Sequence, residues 1–316
     1  MQFFIIYNNC TFFAKKTIFL KTLLPIIAFN IFFDLLLTAK TIYCKILIGE
    51  IMFDFLKEQK SEEQQVLEKF LSMTVKSSDP VFEEFAKIEG AQVYGTEPLK
   101  RFIYIPGTRD DRVLLVAHAD TVWDKNWQPN QNDNAQTLKY SGGQYFNTDR
   151  YSYCGIGADD RAGCAILYLL KNSGHSILIL DGEEHGQLGA HFLKDNYPDL
   201  FKEINEHQYA LQFDRCGNSD FKCYNIPVSE EFKDHIKDTL GFKNAGKKSR
   251  TDIVVLCENM CGANLSVGYY DEHTSYERLC YKDWLKTYKK AEKMLENKQI
   301  RYNFAQKHEN FEENNL

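Results

Sequence analysis

The residues best suited to chemistry are acids and histidines in five short motifs: His118-Ala119-Asp120, Asp159-Asp160, Glu183-Glu184, Asp214 and His273. Imidazole nitrogens and carboxylate oxygens are ligands for divalent metals. The set suffices for two ions, with one carboxylate left over as a base. A ring nitrogen of His118 can bind metal while Asp120 holds the other ring N–H, which fixes tautomer and ring direction. Asp159 has two oxygens and can bridge two cations. Glu183 and Glu184 repel each other unless cations or protons intervene. One of that pair can bind metal while the other stays free as a general base. Each motif alone has an ordinary reading: a strand-end histidine, an N-capping aspartate with a solvated neighbour, an exposed acidic loop, an Asp214–Arg215 ion pair. Recurrence sets them apart, because each sits at or just past the end of an apolar run.

Those runs are the elements that must position the acids. Arg112 to Ala117 reads as a buried strand leading into His118, and Ser176 to Asp181 as another leading into Glu183. Tyr209 to Phe213 is a third, ending at Asp214, and Asn264 to Tyr270 a strand or extended run that delivers His273. Open α/β sheets keep their sites at such carboxyl edges. Gly155 to Cys164 leads into a buried helix, Ala165 to Leu170, with Asp159 near its start. Thr274-Ser275-Tyr276-Glu277 has the spacing of a capping box, so a helix is expected to open there. Upstream, Ser61 caps an amphipathic helix running to Leu71, Arg101 to Ile105 is a strand, and Pro106-Gly107 turns it as an edge hairpin into the His118 strand. Trp127 to Tyr151 reads as a polar excursion near the site mouth, Asn244 to Arg250 as a solvated basic loop, and Tyr281 to Gln299 as a long surface helix.

In combination, Ala117-His118-Ala119-Asp120-Thr121-Val122, Gly157-Ala158-Asp159-Asp160, Asp181-Gly182-Glu183-Glu184 and Tyr270-Asp271-Glu272-His273-Thr274 resemble the co-catalytic zinc exopeptidases of clan MH. That group includes tripeptidases and carboxypeptidases of the aminoacylase type and the leucyl- and glutamyl-type aminopeptidases. The resemblance spans roughly Val113 to Trp284. It implies a single three-layer α/β domain, with a mixed, mostly parallel central sheet flanked by helices, of the phosphorylase/hydrolase-like type. It also implies roles. His118 and Asp214 would hold one zinc, Glu184 and His273 the other, and Asp159 both. Asp120 would orient His118. Glu183 would take the proton of the water between the ions and return it to the leaving amine. A cis peptide at Asp159–Asp160 goes with the group. The intervals from His118 to Asp159 and from Asp214 to His273 are too short for the extra domain of either related branch. A catalytic domain without a lid is therefore expected.

The chain has 316 residues, 44% hydrophobic and 26% charged, with net charge −6. This is the profile of a globular α/β protein. The acidic balance argues against nucleic acid as a partner. Nine cysteines without a paired framework suggest reduced thiols and a cytoplasmic protein. Cys257 and Cys261 lack a second pair nearby, so no structural zinc is expected there. Residues 1–51 are rich in Phe, Ile and Leu but interrupted by Lys21, Pro25, Asn30 and Asp34, a poor transmembrane helix. They read as an upstream extension ahead of a start at Met52, or else as a weak membrane anchor. Residues 52–300 read as the catalytic domain and 301–316 as a polar tail. The expected activity is hydrolysis of small peptides from the N-terminus, using two divalent ions, zinc first, with manganese and cobalt also suited. Alternatives on the same residues are an N-acyl amino acid amidohydrolase, a carboxypeptidase or dipeptidase, and a silent metal-binding protein. Arg215 could bind a substrate carboxylate or serve as an ion-pair partner. Tyr269 or Tyr270 could contact the reacting group. A membrane partner is not expected, and a homo-oligomer stays open.

Overall fold

In the computed structural model, residues 60–129, 137–148, 154–246 and 250–305 are described. The proposed upstream extension and residues 247–249 of the basic loop lie outside them. A compact unit begins at Ser61. Its first helix, α1 (Glu62–Leu71), is capped as its sequence requires: the Ser61 hydroxyl accepts from the Gln64 amide at 3.2 Å. A short α2 (Asp79–Phe85) follows, and then the hairpin β1 (Gln92–Glu97) and β2 (Lys100–Ile105).

The centre of the molecule is an eight-stranded sheet. β3 (Leu114–His118), β6 (Ser176–Leu180), β7 (Tyr209–Arg215) and β10 (Cys261–Ser266) form its parallel middle in the order β6-β3-β7-β10. β2 pairs antiparallel with β6, while β8 (Asp220–Lys222) and β9 (Lys243–Asn244) complete the other edge. The expected hairpin of β2 with the His118 strand does not form. β6 is buried along its whole length and lies between β2 and β3, so both of its edges are hydrogen-bonded. A strand this apolar is best placed inside a sheet.

Helices cover the sheet: α3 (Ala158–Leu169), α4 (Leu188–Asn196), α5 (Pro198–Ile204), α6 (Glu230–Leu240), α7 (Asp252–Leu256) and α8 (Tyr281–Glu296). α3 crosses the strands closely, because a Cβ on Gly163 would overlap the Phe213 carbonyl and the Asp160 carboxylate. The polar excursion is partly structured: β4 (Leu138–Ser141) and β5 (Gln144–Asn147) join β11 (Tyr269–Tyr270) and β12 (Arg278–Cys280) in a second sheet, ordered β11-β12-β5-β4. Tyr145 is buried there, its hydroxyl donating to Glu68 at 2.8 Å and accepting from Gln64 at 2.9 Å. Residues 301–305, counted as tail on sequence, pack on the domain. Arg301 donates to the carbonyls of His207 and Asn205, and Phe304 bridges to Val228. No described helix is long and apolar enough to cross a membrane.

Candidate active site

The parallel strands end at one edge, and all five motifs meet there. His118 is the last residue of β3, Glu183 and Glu184 form a tight turn after β6, Asp214 lies near the end of β7, and Asp159 stands at the start of α3. Gly157, at φ +65°, makes the left-handed turn that aims Asp159 inward, with Val75 in the space a side chain would need. His273 arrives on the loop between β11 and β12 with φ 62°, a left-handed conformation that costs an L-residue about 1–2 kcal/mol. The Asp159–Asp160 peptide is cis, as expected.

Asp159 is the hub. Its Oδ1 lies 3.2 Å from His118 Nε2 and its Oδ2 3.1 Å from His273 Nε2. His118 Nε2 is also 3.4 Å from Asp214 Oδ1, and His273 Nε2 is 2.8 Å from Glu184 Oε1. Two sets of donors, each with one imidazole and one private carboxylate, thus share Asp159. His118 Nδ1 faces the Asp120 carbonyl at 3.1 Å and its Oδ1 at 3.4 Å, which leaves the Nε2 lone pair for the cluster. The Asp120 carboxylate also accepts the amides of Glu183 and Glu184, both at 3.1 Å. It therefore fixes the acidic turn as well as His118.

Crowded acids out of water resist ionising together. Burial, followed by the charge of Asp159, pushes Glu184 up to about 7. Burial and the nearby charges of Asp214 and Asp252 hold Glu183 well above the usual carboxylate range. Burial and Asp159 also raise Asp214. Hydrogen bonds to Asp159 and Glu184 hold His273 up at about 11. Burial pulls His118 down, but Asp214, Asp120 and Asp159 together raise it well above its ordinary value. This chemistry fits divalent cations. Oxygens and imidazole nitrogens converge from five side chains, with His118, Asp159 and Glu184 within reach of one ion. Asp160 also lies close to His118 and Asp214, but its oxygens already accept the amides of Gly163 at 2.8 Å and His118 at 3.3 Å. It is buried inside the site, not the solvated neighbour of the ordinary reading.

Several residues around the cluster were not singled out on sequence. The Thr274–Glu277 spacing opens no helix. Glu277 is buried and accepts the amides of Gly157 at 2.7 Å and Asp159 at 3.0 Å, so it caps α3 from a distance. Local spacing could not reveal this, since the partner amides lie more than a hundred residues away. Thr251 and Gln212 each donate to Asp214 Oδ2 at 2.9 Å, and Tyr269 donates to its Oδ1 at 3.2 Å. Asp252 is fully buried, and neither of its oxygens has a hydrogen-bond partner. Arg161, also fully buried, donates to the carbonyls of Ala119, Thr74 and Ser77, tying the His118–Asp120 turn to the segment after α1. Tyr270 turns away to Asp283, and Arg215 is spent on Asp220 through two contacts of 2.9 Å.

No family model and no curated protein matches the sequence. Solved structures do match. Aminopeptidase PepT from Bacillus cereus superposes with TM-score 0.53 at 14% identity, over 74% of this chain and 98% of that one. A tripeptidase from Staphylococcus aureus gives the same values. The TET1 peptidase of Pyrococcus horikoshii, described as assembling into a tetrahedron or a large octahedral shell, matches with TM-score 0.50 at 14% identity over 74% and 98%. This chain has their fold. The α/β architecture implied by the resemblance is therefore present, and it covers those solved peptidase chains almost end to end.

Proposed function

We propose that this protein is a metal-dependent exopeptidase that hydrolyses small peptides from the N-terminus. One observation carries the reading: the two oxygens of Asp159 face two different histidines, each with its own second carboxylate. In this reading His118 and Asp214 hold one divalent ion, Glu184 and His273 a second, and Asp159 both. Zinc suits these donors first, and manganese or cobalt also fit. When bound, such a pair supplies Lewis acidity toward a carbonyl and makes a nearby water acidic. The protein does the rest. Glu183 shares the tight turn of Glu184, and its side chain accepts no hydrogen bond among the described residues. It is free to take the proton of the attacking water and hand it to the departing amine. Asp120 positions His118 and the acidic turn together. Tyr269 steadies Asp214.

Recognition of a free amine fits the charge of the site. Side chains around the cluster are predominantly acids, and Arg215, the base beside Asp214, is committed to Asp220. That favours an ammonium group over a carboxylate as the substrate terminus. Likeness to the tripeptidase and the TET1 peptidase supports small peptides as substrates and a homo-oligomeric state, the latter testable by light scattering. None of the seven described cysteines is joined in a disulfide, which supports a cytoplasmic setting. The test is hydrolysis of a panel by metal-loaded protein: aminoacyl anilides, di- and tripeptides, C-terminally blocked peptides and N-acyl amino acids. Turnover that needs a free amine and is lost in Glu183→Gln is the expected result. Absence of turnover with two ions bound per chain would refute the enzymatic reading.

A further inference from the structure

Three aromatic side chains stand well out in solvent among the described residues: Trp127 at 56%, Tyr140 at 44% and Tyr276 at 81%. Two of them are carried by the loops of the cluster. Trp127 lies on the loop leaving β3 beyond Asp120, its amide donating to the Asp124 carbonyl at 3.1 Å. Its ring lies nearly flat on that of His185, with centroids 4.3 Å apart and planes 26° apart. His185 follows Glu184 in the same tight turn, and neither of its ring nitrogens has a hydrogen-bond partner, so the ring serves as an apolar plate. Tyr276 lies three residues beyond His273, on the loop that Glu277 pins beneath Asp159. Glu184 and His273 touch at 2.8 Å, so the loops carrying the two rings meet at the cluster. Single exposed apolar residues are ordinary. Two exposed aromatic residues on loops that meet at one candidate site leave apolar surface in water that an occupant would bury.

We infer that Trp127, backed by His185, and Tyr276 form the side-chain recognition surface of this site. Its ligand is a peptide residue with a large apolar, preferably aromatic, side chain next to the cleaved bond. The inference rests on the proposed exopeptidase reading and adds the substrate class. A bulky apolar side chain covers such rings, while a small or acidic one leaves them wet. One well-filled apolar contact changes specificity by about tenfold or more.

The experiment compares kcat/KM for phenylalanyl, leucyl, alanyl, glycyl and glutamyl anilides in the full, metal-loaded chain and in Trp127→Ala, Tyr276→Ala and Trp127→Phe. The expected wild-type preference is about tenfold or more for phenylalanyl and leucyl over glycyl. Each alanine variant should collapse that ratio, mainly through KM, and Trp127→Phe should restore much of it. A glutamyl preference, no preference, or alanine variants that leave the ratio intact would overturn the inference. Calorimetric titration with the hydroxamates of phenylalanine and glycine separates the two readings if nothing is turned over. Tighter binding of the phenylalanine compound, lost in Trp127→Ala, upholds the aromatic surface while the exopeptidase reading falls. Equal binding of the two hydroxamates removes the inference as well.

Discussion

Asp120 shows how one buried side chain can serve two parts of a site. Its oxygens accept the amides of Glu183 and Glu184 while lying against His118 Nδ1. Asp120→Asn replaces one acceptor with a donor that would face a backbone N–H. We expect it to lower both metal affinity and turnover, read as metal retained after dialysis and as kcat; unchanged values for both would remove Asp120 from the positioning role. Glu183→Gln should differ in kind. Metal content should stay at wild type while hydrolysis falls by about 10²–10⁴-fold, the usual worth of a general base. Loss of metal together with activity would mean that Glu183 is a ligand instead. Glu277→Gln would again turn an acceptor into a donor, here against the amides that begin α3. A cost of about 1–3 kcal/mol in urea unfolding is expected, and an unchanged midpoint would count against the long-range cap. Ligand types were readable from sequence because metal chemistry restricts them. Glu277, Thr251 and Asp252 were not, because their parts depend on contacts between distant segments.

At the scale of elements, the strands that carry the site were legible wherever burial left a continuous apolar run. Ser176 to Leu180 falls within the expected bounds, the strand from Tyr209 runs two residues past Phe213 to Arg215, and the last helix starts at Tyr281 with Trp284, Tyr288 and Leu295 buried along one face. Pairing order was not legible, since nothing local to β2 says that β6 rather than β3 lies beside it. The second sheet escaped notice because strands as short as Tyr269–Tyr270 carry no period. The opposite edge of the main sheet holds two buried histidines that predict a pH response. His175 Nδ1 accepts the Val113 amide at 3.0 Å, which requires a neutral ring, and His207 Nε2 lies 2.7 Å from the Ser176 hydroxyl in a buried setting that disfavours its charged form. Burial lowers both, His207 to about 4. A depressed histidine contributes stability that is complete above its unfolded value of 6.5 and is lost as pH falls toward 4. For His207 the loss totals about 3 kcal/mol. Urea midpoints measured from pH 7.5 to 4.5 should fall over that window, and His207→Gln should flatten the fall. An equally steep fall in the variant would place the acid sensitivity elsewhere.

For the molecule as a whole, the compact unit that starts at Ser61 holds every residue of the cluster. We propose that residues 52–300 carry the activity, with Arg301 to Ala305 as further packing. Ions that bind the folded chain alone should raise its stability by about 3 kcal/mol per site at a free concentration 100-fold above Kd. Calorimetric melts with added zinc or with a chelator should therefore separate clearly. Superimposable melts would argue against a metal centre.

The division of Asp159 between two histidines also implies a proton inventory. With His273 held at about 11 and Glu184 at about 7, the ion-free cluster carries hydrogen where donors are wanted. Loading must expel it, since imidazole binds metal only when neutral and carboxylate only when ionised. Adding zinc salt to the unbuffered protein should acidify the solution, and a pH-stat would count the equivalents of base consumed per ion. Affinity should climb with alkalinity and fade in mild acid, so an acidic compartment would strip the centre without any chelator.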